Sequence, residues 1–119
     1  MLGRSWSPFN YISLFLSPMK VRISEEHLRV RVDKKDTHLL EQGHPISCSI
    51  MIGNGTALSF ILSAAQSAVD NPSIQVTETR TLITVPADQL KDLLSGNIST
   101  IFRDRSDDGC AITVEIDIQ

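Results

Sequence analysis

The sequence predicts an α+β protein made of two ββαββ units on one mostly antiparallel core. Three observations lead there. Val21–Val32 is answered by Ile74–Val85 at a shift of 53 residues, with Val21/Ile74, Ile23/Val76, Val30/Ile83 and Val32/Val85 in step. The correspondence runs on through Leu40/Leu93 and Gly43/Gly96. A repeat of that period marks two copies of one supersecondary unit. Several segments alternate apolar and polar residues with period two, as half-buried antiparallel strands do. Each unit also holds one leucine-containing stretch that ends on glycine, the pattern of a short helix and its C-terminal stop. A unit of about 50 residues is marginal alone, so the two are expected to share one core.

In chain order, Lys20–Ser24 sets Val21 and Ile23 on one face and Lys20 and Arg22 on the other. Leu28–Val32 repeats the pattern, with Arg29 and Arg31 outward, and Glu25-Glu26-His27 is short enough to join the two strands as a hairpin. Asp33 is placed as an N-cap and Asp36 adds negative charge to the first turn of a helix over about Lys34–Gln42. Gly43 ends it and Pro45 prevents its continuation. Ile46, Cys48, Ile50 and Ile52 alternate with Ser47, Ser49 and Met51 as a third strand. Gly53-Asn54-Gly55 is a tight turn, because glycine and asparagine tolerate positive φ, and Ala57–Ala64 returns. Ala65–Pro72 links the halves.

The second half repeats the plan. Ile74–Thr77 and Leu82–Val85 read as strands. Pro86 opens a helix at the position where its missing N–H costs nothing, and Leu90, Leu93 and Leu94 form its apolar stripe up to Gly96. Ile98–Phe102 and Ala111–Ile118 complete the unit, the latter alternating Ile112, Val114, Ile116 and Ile118 with Thr113, Glu115 and Asp117. The shift becomes 52 at Ile46/Ile98 and 54 at Gly55/Gly109 and Ala57/Ala111. One residue is thus lost after the helix and two are gained in the second hairpin loop, Arg103–Gly109. The units occupy residues 20–64 and 73–118 of a single domain over 19–119.

Strand, turn, strand ending in Val85-Pro86, the leucine-rich run to Leu94 and a closing hairpin: this order resembles the AbrB/MazE swapped-hairpin family over about residues 20–118. There, two ββαββ units interlock as a homodimer. The resemblance implies one barrel-like domain with two short helices capping it, a pseudo-dimer within one chain. It also implies DNA binding, as a transcriptional regulator or antitoxin. Ser24-Glu25-Glu26-His27 and Thr77-Glu78-Thr79-Arg80 depart from the family's basic first turn, and glutamates there repel phosphate. Met19-Lys20-Val21-Arg22-Ile23 with Leu28-Arg29-Val30-Arg31-Val32 is also similar to a small bacterial family of uncharacterised proteins, which brings no function with it.

Of the 119 residues, 41% are apolar and 21% charged, ordinary values for a soluble globular chain. The net charge of −3, from 11 basic and 14 acidic residues, argues against broad attraction to nucleic acid. Residues 1–18 hold four of the six aromatic side chains, Trp6, Phe9, Tyr11 and Phe15, ahead of the repeat. They are expected to be an extension upstream of a natural start at Met19, or a weakly ordered tail. They carry no secretory pattern, and no stretch has the length of a membrane span. Cys48 and Cys110 sit among alternating apolar residues and are expected to be buried and reduced. A cytoplasmic setting is expected.

Lys20, Arg22, Arg29 and Arg31 point outward from neighbouring strands and form the candidate binding face, suited to an acidic protein segment or a phosphate backbone. Glu25, Glu26, Asp33 and Asp36 are the nearby acids expected to balance it. The second half does not reproduce the face: Ser73, Gln75, Leu82 and Thr84 stand in its place. His27, His38 and His44 lack metal-ligand spacing, and no GxSxG motif is present. Gly53-Asn54-Gly55 joins strands rather than opening a helix, so it is not a phosphate loop. Asp104, Asp107 and Asp108 lack the spacing of a calcium loop. No catalytic set, cofactor or metal is expected. The reading is a non-enzymatic binding protein with an unidentified protein partner. An AbrB-like DNA-binding regulator using Arg22, Arg29 and Arg31 is the alternative, and a small hydrolase or ligand-binding barrel is third.

Overall fold

The computed structural model describes residues 19–106 and 109–117. Trp6, Phe9, Tyr11, Phe15, Asp107, Asp108 and Ile118, and the readings made of them, lie outside the described residues. The elements run β1 (Lys20–Ile23), β2 (His27–Val32), α1 (Lys34–Glu41), β3 (Ile46–Gly53), β4 (Thr56–Ala64), β5 (Ser73–Thr77), β6 (Arg80–Val85), α2 (Ala87–Ser95), β7 (Thr100–Arg103) and β8 (Ala111–Ile116). The chain is α+β, with two helices and two four-stranded mixed sheets among the described residues.

Helix α1 starts as its sequence demands. The Asp33 carboxylate accepts from the Lys35 N–H at 3.0 Å, and the Asp36 carboxylate accepts from the Asp33 N–H at 3.2 Å. Asp36 therefore closes a reciprocal capping box, beyond adding charge to the first turn. Helix α2 has no side-chain cap at Pro86 and ends with Gly96 at φ 87°. The Asp92 carbonyl accepts from the N–H groups of Asn97 and Ile98 at 2.9 and 3.2 Å. That bond holds Ile98 in the helix terminus, which is why β7 starts at Thr100 and not at Ile98.

The first sheet has the order β1-β2-β8-β7 and the second β3-β4-β6-β5. Neighbours are antiparallel except at the two central joins, β2–β8 and β4–β6, which are parallel. Each sheet takes one hairpin from before the 65–72 connection and one from after it. Ile46, Leu62 and Ile83 lie side by side across the second sheet, and Ile101, Val114 and Val30 across the first. All six are at most 1% exposed. With Val32, Val85, Ile112, Leu28, Leu40, Leu90, Leu93 and Met19 they make one core to which both sheets and both helices contribute.

One expectation is corrected here. The sheets do not close into a barrel. No described strand pairs with the outer edges of β1, β7, β3 or β5, so the sheets are joined by side chains in the core and not by a continuous hydrogen-bond ladder. The two closing hairpins, β3–β4 and β7–β8, differ in length. In the buried rows Ile46 pairs with Leu62 and Ile101 with Val114. The β3–β4 hairpin is therefore the longer of the two, with strands of 8 and 9 residues against 4 and 6.

Candidate functional site

The four cations predicted to share a face do so. Antiparallel pairing of β1 with β2 sets Lys20 directly opposite Arg31 and Arg22 directly opposite Arg29. Val21 and Ile23 face the other way, opposite Val30 and Leu28. The parallel join to β8 then lays Thr113 beside Arg29 and Glu115 beside Arg31. Like charges set directly opposite one another are destabilising unless compensated, and β8 supplies the compensation.

The Arg31 Nε donates to Glu115 Oε1 at 3.1 Å, and the Arg29 Nε lies 3.8 Å from the same oxygen. Lys20 Nζ reaches Asp117 Oδ2 at 3.3 Å, with Arg31 Nη1 4.0 Å from Asp117 Oδ1. The Glu115 and Asp117 side chains are 23% and 9% exposed, against 65% for Lys20 and 47% for Arg31. The acids are thus recessed between projecting cations. Among the described residues Arg22 forms no ion pair. The Arg29 Nε is shut off from solvent without a hydrogen-bond acceptor. Four cations against two carboxylates leave the face net positive. Lys20, Arg22, Arg29 and Arg31 also line one depression with Val21.

The acids expected to balance this face do other work. Asp33 and Asp36 form the α1 capping box, Glu26 pairs with Arg105, and Glu25 is exposed at the β1–β2 turn. Sequence proximity suggested them; the partners that matter come from the far end of the chain. The signal was present, since Thr113, Glu115 and Asp117 alternate on one face of β8, but nothing local said which strand lay beside it. His27 joins the same face, its Nε2 2.6 Å from Thr113 Oγ1. His38 stands 3.8 Å from Glu41 on α1, and His44 is exposed beyond it.

Elsewhere the chemistry is sparse. Among the described residues no group of three or more His, Cys, Asp or Glu side chains is placed to hold a metal. No described helix is long and apolar enough to cross a membrane. Cys48 and Cys110 are free and half-buried. Burial, with the nearby Asp36 charge second, pushes the Cys48 thiol above its ordinary range, so it is a poor nucleophile at neutral pH. Arg103 donates to the carbonyls of Pro72 and Cys110 at 3.2 and 2.7 Å and ties β7 to the segment before β5. The Asp104 carboxylate accepts from the Arg105 N–H at 2.8 Å.

Residues 19–119 match a family described as a family of unknown function (DUF7009). No curated protein matches the chain.

Proposed function

The chain belongs to that family of unknown function, and we propose that it is a non-enzymatic binding protein whose cationic outer face receives an acidic protein segment. The observation that carries this reading is the state of the two opposed arginines. Arg22 has no acid of its own among the described residues, and Arg29 is held at 3.8 Å from Glu115, beyond hydrogen-bond length. Guanidinium groups ordered by a sheet and left short of acceptors suit carboxylates, which they bind through charge-assisted hydrogen bonds. A row of projecting cations along a hairpin, with recessed acids between them, suits an extended segment better than a compact ligand.

A phosphate backbone is the less favoured partner. The outer face of the second sheet presents Ser47, Ser49, Ser59, Gln75 and Thr84 with Arg80 at its margin, so it offers no second cationic half-site of the kind a two-fold duplex reader uses. The net charge of −3 also opposes long-range attraction to nucleic acid.

A fluorescent peptide of alternating Glu and Ser, titrated at low salt, tests the proposal. Binding is expected, and Arg22→Ala or Arg29→Ala should each weaken it by about tenfold, the scale of one charge-assisted hydrogen bond. Duplex DNA bound more tightly than the peptide, with a steep loss of affinity as salt rises, would replace this reading with the DNA-binding one.

We further infer that the architecture arose by duplication of a ββαββ unit with exchanged hairpins, similar to the AbrB/MazE arrangement but open and within one chain. Support comes from the matching buried rows and from two grooves beside the helices. Leu40, Gly43, Ala64 and Ala87 line one; Leu93, Gly96, Ile116 and Lys34 hold the corresponding positions in the other.

A further inference from the structure

We propose that the protein forms a two-fold dimer by antiparallel pairing of β3 with β3 of a second copy. The four sheet edges are not alike. β1 presents Lys20 and Arg22. β7 has four residues and ends on Arg103. β5 has five residues and runs into Glu78 at its turn. Charge and shortness are among the devices by which sheet edges avoid recruiting further strands. β3 has neither, although Pro45 precedes it and its pairing with β4 is irregular between Met51 and Gly53. It is eight residues long, and Ile46–Gly53 contains neither a charged residue nor a proline.

Its outer half is also the most apolar exposed stretch of the fold. Ile50, Met51 and Ile52 are 56%, 47% and 56% exposed. They project on both faces of the strand, so no single covering layer accounts for them. The cause is the long hairpin. β6 begins at Arg80, level with Ser59 of β4, so the stretch from Ile50 through the turn to Leu58 extends past the rest of its sheet. In the first sheet the shorter β7–β8 hairpin leaves no comparable overhang.

A second copy is the occupant that this edge fits. The strand and its Asn54-Gly55 turn are uncharged, so two copies meet without the like-charge repulsion that β1 would impose on itself. The pattern is self-complementary. A two-fold axis at Ile50 sets Ile50 against Ile50, Ile52 against Cys48 and Met51 against Ser49, and apolar residues then meet apolar residues on one face. This is the isologous geometry of a closed dimer. It joins the two second sheets into one of eight strands and leaves both cationic faces free.

Sedimentation of the full chain, with amide hydrogen exchange at the same concentrations, tests this. The expected result is a species of twice the 13.2 kDa chain mass, with amides of 50–53 protected only in that species. Ile50→Lys and Ile52→Lys, both at exposed positions, should each give a monomer with unchanged circular dichroism and fast exchange at β3. A monomer at high protein concentration overturns the proposal, whether its β3 amides exchange freely or are protected within the chain. So does a dimer that survives both lysine substitutions.

Discussion

Asp36 and Thr113 are the buried polar side chains among the described residues, and each is tied to a neighbour. Asp36, 1% exposed, satisfies the Asp33 N–H at the start of α1. Asp36→Ala should cost about 1 to 2 kcal/mol in urea denaturation, the scale of a lost cap that leaves a donor unpaired. The same carboxylate adds to the burial that raises the Cys48 pKa. The protonated thiol is the form the fold favours. Its contribution to stability is therefore present below the ordinary thiol value of 9.0 and is lost as pH rises through the raised folded value. Urea midpoints measured between pH 8 and 11 should fall less steeply for Cys48→Ala than for the native chain. Asp36→Asn should leave Cys48 easier to alkylate, since it removes the second of the two causes. At this scale the sequence was informative where partners are close in the chain: Asp33 was legible as a cap. It was silent on Glu115 and Asp117 as the acids beneath the basic face, because Arg31 and Glu115 are 84 residues apart.

Helix ends and strand alternation are set within a few residues, and these elements were legible. β3 begins at Ile46, α1 at Lys34 and β8 at Ala111, as their patterns indicate. The miss at β7 has a local cause that period two conceals. Ile98 has the right phase for a strand, but its N–H is engaged by the Asp92 carbonyl and the chain does not extend until Thr100. Gly96 makes that turn possible at φ 87°. A Cβ added there would meet nothing within 4 Å, so the cost of a side chain is purely conformational. Gly96→Ala should lower stability by about 1 kcal/mol, readable as a shift of the urea midpoint without a change of slope. The cationic face was equally legible as an element property, since alternation alone put Lys20, Arg22, Arg29 and Arg31 on one side of a hairpin.

Which hairpin lies beside which is a property of the whole molecule, and no local pattern encodes it. Repeat periodicity said that two similar units share a core. It did not say that each sheet would take a hairpin from either side of the 65–72 connection, nor that the edges would stay open. The exchange has a direct consequence for dissection. A chain cut within the exposed 66–71 segment divides both sheets at their central parallel joins. The fragments 19–68 and 69–119 should each show little regular structure by circular dichroism, because neither retains a complete sheet. Mixed, they should regain the native spectrum. A stable, cooperatively melting fragment from either half would contradict the sharing of one core.

The strands of the second sheet all lie between Ile46 and Val85, whereas the first sheet joins β1 and β2 to β7 and β8 near the other end of the chain. During synthesis the inner sheet can assemble while the outer one waits. With Arg31 and Glu115 separated by 84 residues, and chains growing at about 5 to 20 residues per second, the β1–β2 hairpin is without its neighbour for roughly 4 to 17 s. Through that interval Val30 and Val32 lack Val114 and Ile116, which lie beside them in the finished sheet. β8, the last described strand in chain order, is the one that completes the first sheet.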